Sequence, residues 1–184
     1  MADFTALAFV RGAKLTQTQM QQLMDNTTYL KDTANQVIYA ENQQLASVNG
    51  GTKTSGSWET VTLNTKVFDP ESVATLASDV LTVPVGTYIM HFWQRFYRVD
   101  HGIVRVFDTT ASTAIGSGSA TRTASGGDVE GRSEGILIAT FSVPTGLRLE
   151  TRVETTRADD GGGSAANLAG ELERYAGLLL LTLP

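Results

Sequence analysis

From Trp58 onward the apolar residues of this sequence recur every two positions, and no later stretch carries the three-four spacing of an amphipathic helix. A parallel sheet needs crossover helices between its strands, so this pattern confines the region to antiparallel all-β architecture. The spacing predicts about eight strands, bounded by Gly, Pro, Asp and Asn. They are "WETVTLN", "DVLTVP", "GTYIMHFWQRFYRV", "GIVRVFD", a small-residue strand near "AIGSGSATRT", "EGILIATFSVP", "LRLETRVETTR" and "YAGLLLLTLP". The turns fall at Pro84-Val85-Gly86, Asp100-His101-Gly102, Pro144-Thr145-Gly146 and Asp159 to Gly163. Short strands punctuated this way predict a two-sheet jelly roll or a related sandwich.

These strands differ in how many faces they bury. "LRLETRVETT" alternates, with Leu147, Leu149 and Val153 inward and Arg148, Glu150, Arg152 and Glu154 toward water, as in a sheet with one wet face. "GTYIMHFWQRFYRV" does not. Tyr88, Met90, Phe92 and Phe96 lie on one face, Ile89, Trp93, Tyr97 and Val99 on the other. The closing strand is also apolar on both sides, with Leu178 and Leu180 on one and Leu179, Leu181 and Leu183 on the other. Two such strands imply an inner sheet whose second face is covered by something outside the sandwich. Either another copy of the chain covers it or the chain's own helical arm folds back over it. The pattern favours another copy, with Tyr88, Met90, Phe92, Trp93, Tyr97 and Leu178 to Leu181 as the expected contact residues.

The first quarter of the chain has a different period. Thr16 and Gln19 form a capping box that predicts a helix start. Beyond it Met20, Leu23, Leu30 and Val37 form a narrow apolar seam that fades at Glu41 and Gln44. The predicted organisation is an N-terminal extended segment and helix over 1–50, for anchoring and trimerisation. A flexible Gly/Ser linker follows over 51–57, then a head over 58–184.

Charged residues make up only 18% of the chain and the net charge is -5, so bulk electrostatics suggest no nucleic-acid surface. The longest apolar run is too short to span a membrane, and "MADFTALAFVRGAKL" lacks the layout of an export signal. With no cysteine, neither disulfides nor thiolate metal sites are available. "GRSEG" matches the hydrolase nucleophile elbow, but a strand-like segment follows Ser133 where that motif needs a helix, and both histidines precede it. His91 and His101 have no second histidine at metal-ligand spacing. The glycine-rich "GSGSATRTASGGD" lacks the ending of a phosphate loop, and Asp159-Asp160 before glycines reads as a solvated turn. No catalytic residue, cofactor or metal is expected.

"GAKLTQTQMQQLMDNTTYLKD" resembles the N-terminal segment of many bacteriophage virion proteins. "VPVGTYIMHFWQRFYRVDHGIVRVFDTTASTAIGSGSA", with "RLETRVETTRADDGGGSAAN" and the closing strand, is similar to the C-terminal domain of phage tail-fibre and related structural proteins. That family has a C1q/TNF-like jelly roll and typically forms trimers. The resemblance implies a non-enzymatic homotrimer in the virion, assembled in the host bacterial cytoplasm. Its inner sheets would meet at a threefold axis and its N-terminal arm would join capsid or tail proteins. The implied role is a fibre or spike with a head directed at the host surface; the alternative is a capsid decoration protein that cements the shell. Glycine-rich tips are the expected contact loops for a host glycan or protein, over Thr121 to Arg132 and Arg157 to Ser164. Arg122, Asp128, Arg132, Asp159 and Asp160 are their polar groups.

Overall fold

The computed structural model describes residues 16–32, 36–124 and 126–183. The chain divides into two units, Met1–Asn35 and Gln36–Leu183. In the first, α1 spans Gln17–Asp32. Its start is the capping box expected from sequence: the Gln19 amide donates to Thr16 Oγ1 at 3.2 Å and the Thr16 amide donates to Gln19 Oε1 at 3.0 Å. Met20 and Leu23 lie exposed on this helix. Leu30 is within it, its side chain outside the described portion, as is the extended segment of residues 1–15.

The second unit is a sandwich of two antiparallel sheets. Its strands are β1 Val37–Gln44, β2 Glu59–Thr60, β3 Thr65–Phe68, β4 Thr75–Ala77, β5 Val80–Val83, β6 Gly86–Tyr97, β7 Asp100–Asp108, β8 Thr113–Ser117, β9 Thr121–Thr123, β10 Glu130–Phe141, β11 Thr145–Val153 and β12 Glu173–Leu183. One sheet has the order β10-β6-β12-β1-β3. The other runs β4-β5-β11-β7-β8, with β2 beside β11 and β9 beside β7. The two strands read as apolar on both faces, β6 and β12, are neighbours at the middle of the five-stranded sheet, paired from Ala176↔Gln94 to Leu183↔Thr87. Between the sheets lies one core. Ile38, Ala40, Tyr88, Met90, Phe92, Leu178 and Leu180 come from the five-stranded sheet. Leu81, Val83, Val104, Val106, Leu147 and Leu149 come from the other. Burying each of these larger side chains stabilises the fold by roughly 1.5–3 kcal/mol.

Several expectations are corrected by this arrangement. Val37 belongs to strand β1, so the seam ends with the helix, and Val37 and Glu41 pair with Leu181 and Gly177. "VIYAENQQ" fits both periods; its β-branched and aromatic start and the unpaired edge that β12 would otherwise present decide for the strand. The head therefore begins at Gln36, not Trp58. Nor is 51–57 a free linker: Lys53 and Arg157 exchange backbone hydrogen bonds of 2.9 and 2.8 Å, and the Gly51 amide donates to Asp159 O at 2.9 Å.

The glycine run after Asp160 is also packed rather than displayed. Gly161, Gly162 and Gly163 are buried, and the Gly50 amide donates to Gly163 O at 2.9 Å. Asp160 is held by the Arg157 Nε at 2.6 Å, leaving Asp159 exposed at the tip. The other expected loop is mostly strand. Arg122 lies in β9 and Arg132 in β10, while Asp128, in the turn between, accepts from Tyr97 Oη at 2.7 Å and from Arg98 Nη2 at 2.5 Å.

The β6–β7 turn also moves. Its left-handed residues are Arg98 and Asp100, at φ of 55° and 60°. Gly102 is instead a strand residue whose missing side chain makes room for the Phe96 ring, which a Cβ would meet at 2.6 Å. Glu150, expected in water, is buried: its carboxylate accepts from Arg105 Nε at 2.8 Å and Arg148 Nε at 2.9 Å. Trp58 closes over this pair, its ring 3.9 Å from the Arg105 guanidinium.

Candidate functional site: the outer face of the five-stranded sheet

A strand directs alternate side chains to opposite faces, so the registers fix which residues share the outer surface of the five-stranded sheet. Phe92, Leu178 and Leu180 point into the core, which puts Trp93, Leu179 and Leu181 outside. One transverse row on that surface is Val37, Leu181, Ile89 and Ile138, on β1, β12, β6 and β10 in turn. The next is Phe68, Tyr39, Leu179, His91 and Ile136. Within the sandwich the rim of these rows is uncovered: Ile136 is 73% exposed, Ile138 65% and Phe68 49%. Ile89, Leu179, Leu181, Val37 and Tyr39 are half-buried by their neighbours on the sheet. Two adjacent apolar rows across four strands form a patch of the kind that folded monomers seldom leave bare.

A polar row borders the patch, made of Glu41, Gly177, Trp93 and Glu134. Gly177 is required here, because a Cβ would lie 2.5 Å from Trp93 Nε1 and 2.9 Å from Tyr39 Oη. Its bare backbone lets the Trp93 indole and the Tyr39 hydroxyl both close over β12. Tyr39 in turn donates to Glu41 Oε1. Glu41, almost fully buried, also accepts from Gln43 Nε2 at 2.7 Å and pairs with Arg174 Nε at 3.2 Å. On the other side of Trp93 the Arg132 guanidinium stacks at 4.5 Å from the ring and meets Glu134 at 3.0 Å. His91 Nε2 is 3.6 Å from the same carboxylate. Such linked, satisfied polar groups beside an apolar patch can fix one packing register among several of similar apolar content.

Burial, reinforced by the Glu41 hydrogen bond, pushes the Tyr39 phenol up to about 12; burial and the nearby Glu173 do the same for Tyr175, which donates to Val48 O at 2.6 Å. Both are neutral in the fold where an unfolded chain's tyrosine, near pH 10, would already ionise. The stability they contribute is full below about pH 10 and is lost as pH rises through about 12. In a spectrophotometric alkaline titration of the folded protein, Tyr39→Phe and Tyr175→Phe are each expected to remove one phenol from the late-ionising group, which also holds Tyr88, raised by burial, and Tyr97, raised by its hydrogen bond to Asp128. A late group undiminished by either substitution would contradict the assignment.

Of the contact residues expected from sequence, the sheet face brings together Trp93, Leu179 and Leu181. Tyr97 lies on the same face near the end of β6, tied to Asp128. Tyr88, Met90, Phe92, Leu178 and Leu180 are corrected: all are at most 1% exposed and fill the chain's own core, so no other copy can reach them. Arg132, expected in a loop, belongs to the sheet face. The face also holds Val37, expected instead on the helix seam, and Tyr39, Ile136 and Ile138, which the sequence reading does not single out. The signal for the last two was present, since "GILIATF" is apolar on both faces as β6 is. Ser133 of "GRSEG" is fully buried and bridges the sheets, accepting from the Val104 amide at 3.0 Å and donating to Ser119 O at 2.6 Å. Its hydroxyl is a structural tie.

No family model matches the sequence, and no curated protein matches it. Solved structures do resemble it in shape. A crystal structure of murine APRIL at pH 5.0 superposes with a TM-score of 0.53 at 11% identity, covering 82% of this chain and 100% of that one. Another at pH 8.5 gives 0.51 at 9% identity over 82% and 100%. The globular domain of the zebrafish complement 1qA protein gives 0.46 at 14% identity over 81% and 95%. At these identities the likeness to the APRIL structures carries the fold alone. The head is an antiparallel jelly roll of the C1q/TNF type.

Proposed function

We propose that three copies of the chain pack the outer faces of their five-stranded sheets around a common threefold axis. The product is the head of a non-enzymatic bacteriophage virion component, a short fibre or spike. The observation that carries the self-association is the pair of apolar rows running across β1, β12, β6 and β10, with Ile136 and Ile138 still 73% and 65% exposed. Such a face is satisfied by identical copies in a closed ring, which leaves no free sticky edge to propagate. Three copies rather than two is supported by the resemblance to the trimeric heads of phage tail-fibre proteins. The resemblance of "GAKLTQTQMQQLMDNTTYLKD" supports the rest: the arm joins capsid or tail proteins, the product resides in the virion after assembly in the bacterial cytoplasm, and the head faces the host.

Gold-labelled antibody against the head, applied to purified particles, tests the placement. Label confined to fibre tips or the tail is expected. Label spread evenly over the shell, with particles that burst more easily when the protein is missing, would replace the fibre by a capsid decoration protein.

A further inference from the structure

The seven-stranded sheet carries a second surface feature, on the opposite layer from the proposed contact face. A shallow open groove of about 450 Å³ lies where β7, β11 and the segments after Ser55 and Ser119 come together. We propose that this groove binds a carboxylate-bearing sugar residue. Ile103 supplies the apolar part of its floor, Val153 beside it being buried, and the small Gly56 and Ala120 at its walls leave that floor open. On its rim stand His101, Arg152 and Glu154. His101 Nδ1 and the Glu154 carboxylate hydrogen-bond each other, which holds the acidic group of the rim against His101.

Arg152 is different. It stands opposite Ile103 in the β7–β11 ladder, is exposed, and has neither a carboxylate nor a ring partner among the described residues. Arg122, opposite His101 in the β7–β9 ladder, is likewise exposed and unpaired among the described residues. Most other arginines of the head are committed: Arg95 to Glu130, Arg98 to Asp128, Arg105 and Arg148 to Glu150, Arg132 to Glu134, Arg157 to Asp160 and Arg174 to Glu41. A chain with net charge -5 thus leaves one guanidinium without an ion-pair partner on the rim of the groove, Arg152, and a second, Arg122, on the neighbouring strand β9.

A guanidinium presents paired donors that match a carboxylate, and its excess charge here is complementary to an anion. The volume lies within the range of small-ligand sites. An open apolar floor suits the flat C–H face of a pyranose ring, whereas an acidic peptide side chain would gain little from it. The site needs one chain only, and neither its success nor its failure bears on the assembly proposed above.

The test is ligand-observed NMR on the full-length protein with four probes: sialyllactose, tetragalacturonate, the methyl ester of tetragalacturonate, and tetraglutamate. Binding of at least one acidic sugar at millimolar concentration is expected, weaker in higher salt, with the ester and the peptide silent. Which acidic sugar binds separates a sialylated from a uronic-acid source. Arg152→Gln should weaken that binding about tenfold or more, and Arg122→Gln less, as expected for loss of a charge-assisted hydrogen bond. Both side chains are exposed, so unchanged circular dichroism and melting accompany the substitutions. Silence of both acidic sugars, equal binding of the ester or the peptide, or undiminished binding by Arg152→Gln would each overturn the proposal.

Discussion

Leu181→Arg is expected to convert the proposed assembly of three chains into a folded single chain. Leu181 sits at the centre of the Val37, Leu181, Ile89, Ile138 row, on the middle strand of the five-stranded sheet. Each copy loses the burial of a leucine, roughly 1.5–3 kcal/mol, and places an unpaired guanidinium among apolar neighbours, which costs several kcal/mol more. The change occurs in every copy at once, so association should weaken by roughly four orders of magnitude or more. The chain itself should keep its fold, because Leu181 is only half-buried by its own sheet and its arginine replacement can reach water in the monomer. Sedimentation at micromolar concentration is the check. A variant that stays assembled would mean that the contact lies elsewhere.

The adjacent residues Phe92 and Trp93 are expected to fail in opposite ways. Phe92 is 1% exposed and its ring packs against β10 at Gly135, where a Cβ would meet it at 2.5 Å. Phe92→Ala empties a large volume in the middle of the core and should lower stability by about 3–5 kcal/mol. For a unit of this size that is a fall in Tm of roughly 10 °C or more. Trp93, one residue on, lies across Gly177 on the outer face. Trp93→Ala should cost the single chain less than half as much while weakening assembly. Thermal melts made in the Leu181→Arg background separate folding from association. Equal losses for the two variants there would show that the faces of β6 have been assigned wrongly.

These two residues also show what was legible in the sequence. The two-residue repeat of "GTYIMHFWQRFYRV" sorts its side chains onto faces correctly, and both faces are apolar as the pattern says. What the repeat cannot say is which face meets the chain's own core, because register depends on partners hundreds of atoms away. The repeat therefore offers Tyr88, Met90 and Phe92 as contact residues alongside Trp93, although they point the other way. The helix start was readable because a capping box is local, four residues long and chemically specific.

Strand β1 was not readable, since Leu30 and Val37 fit a helical spacing until the pairing with β12 overrides it. Strands β3 and β4 are four and three residues long, too short to establish a period. Glu150 misled for a similar reason: alternation placed it on the outward face correctly, but the cover supplied by Trp58, Arg105 and Arg148 is a tertiary event. The glycines at 161–163 read as a flexible tip because composition does not reveal that another segment, 50–53, runs against them.

In the proposed assembly, other copies of the chain cover the apolar rows of the five-stranded sheet. The most direct test is the mass of the full-length protein in solution, measured by sedimentation equilibrium over a wide concentration range. A species of three times the 19.7 kDa chain mass, persisting on dilution, is the expected result. A single species of 19.7 kDa at high concentration would contradict it.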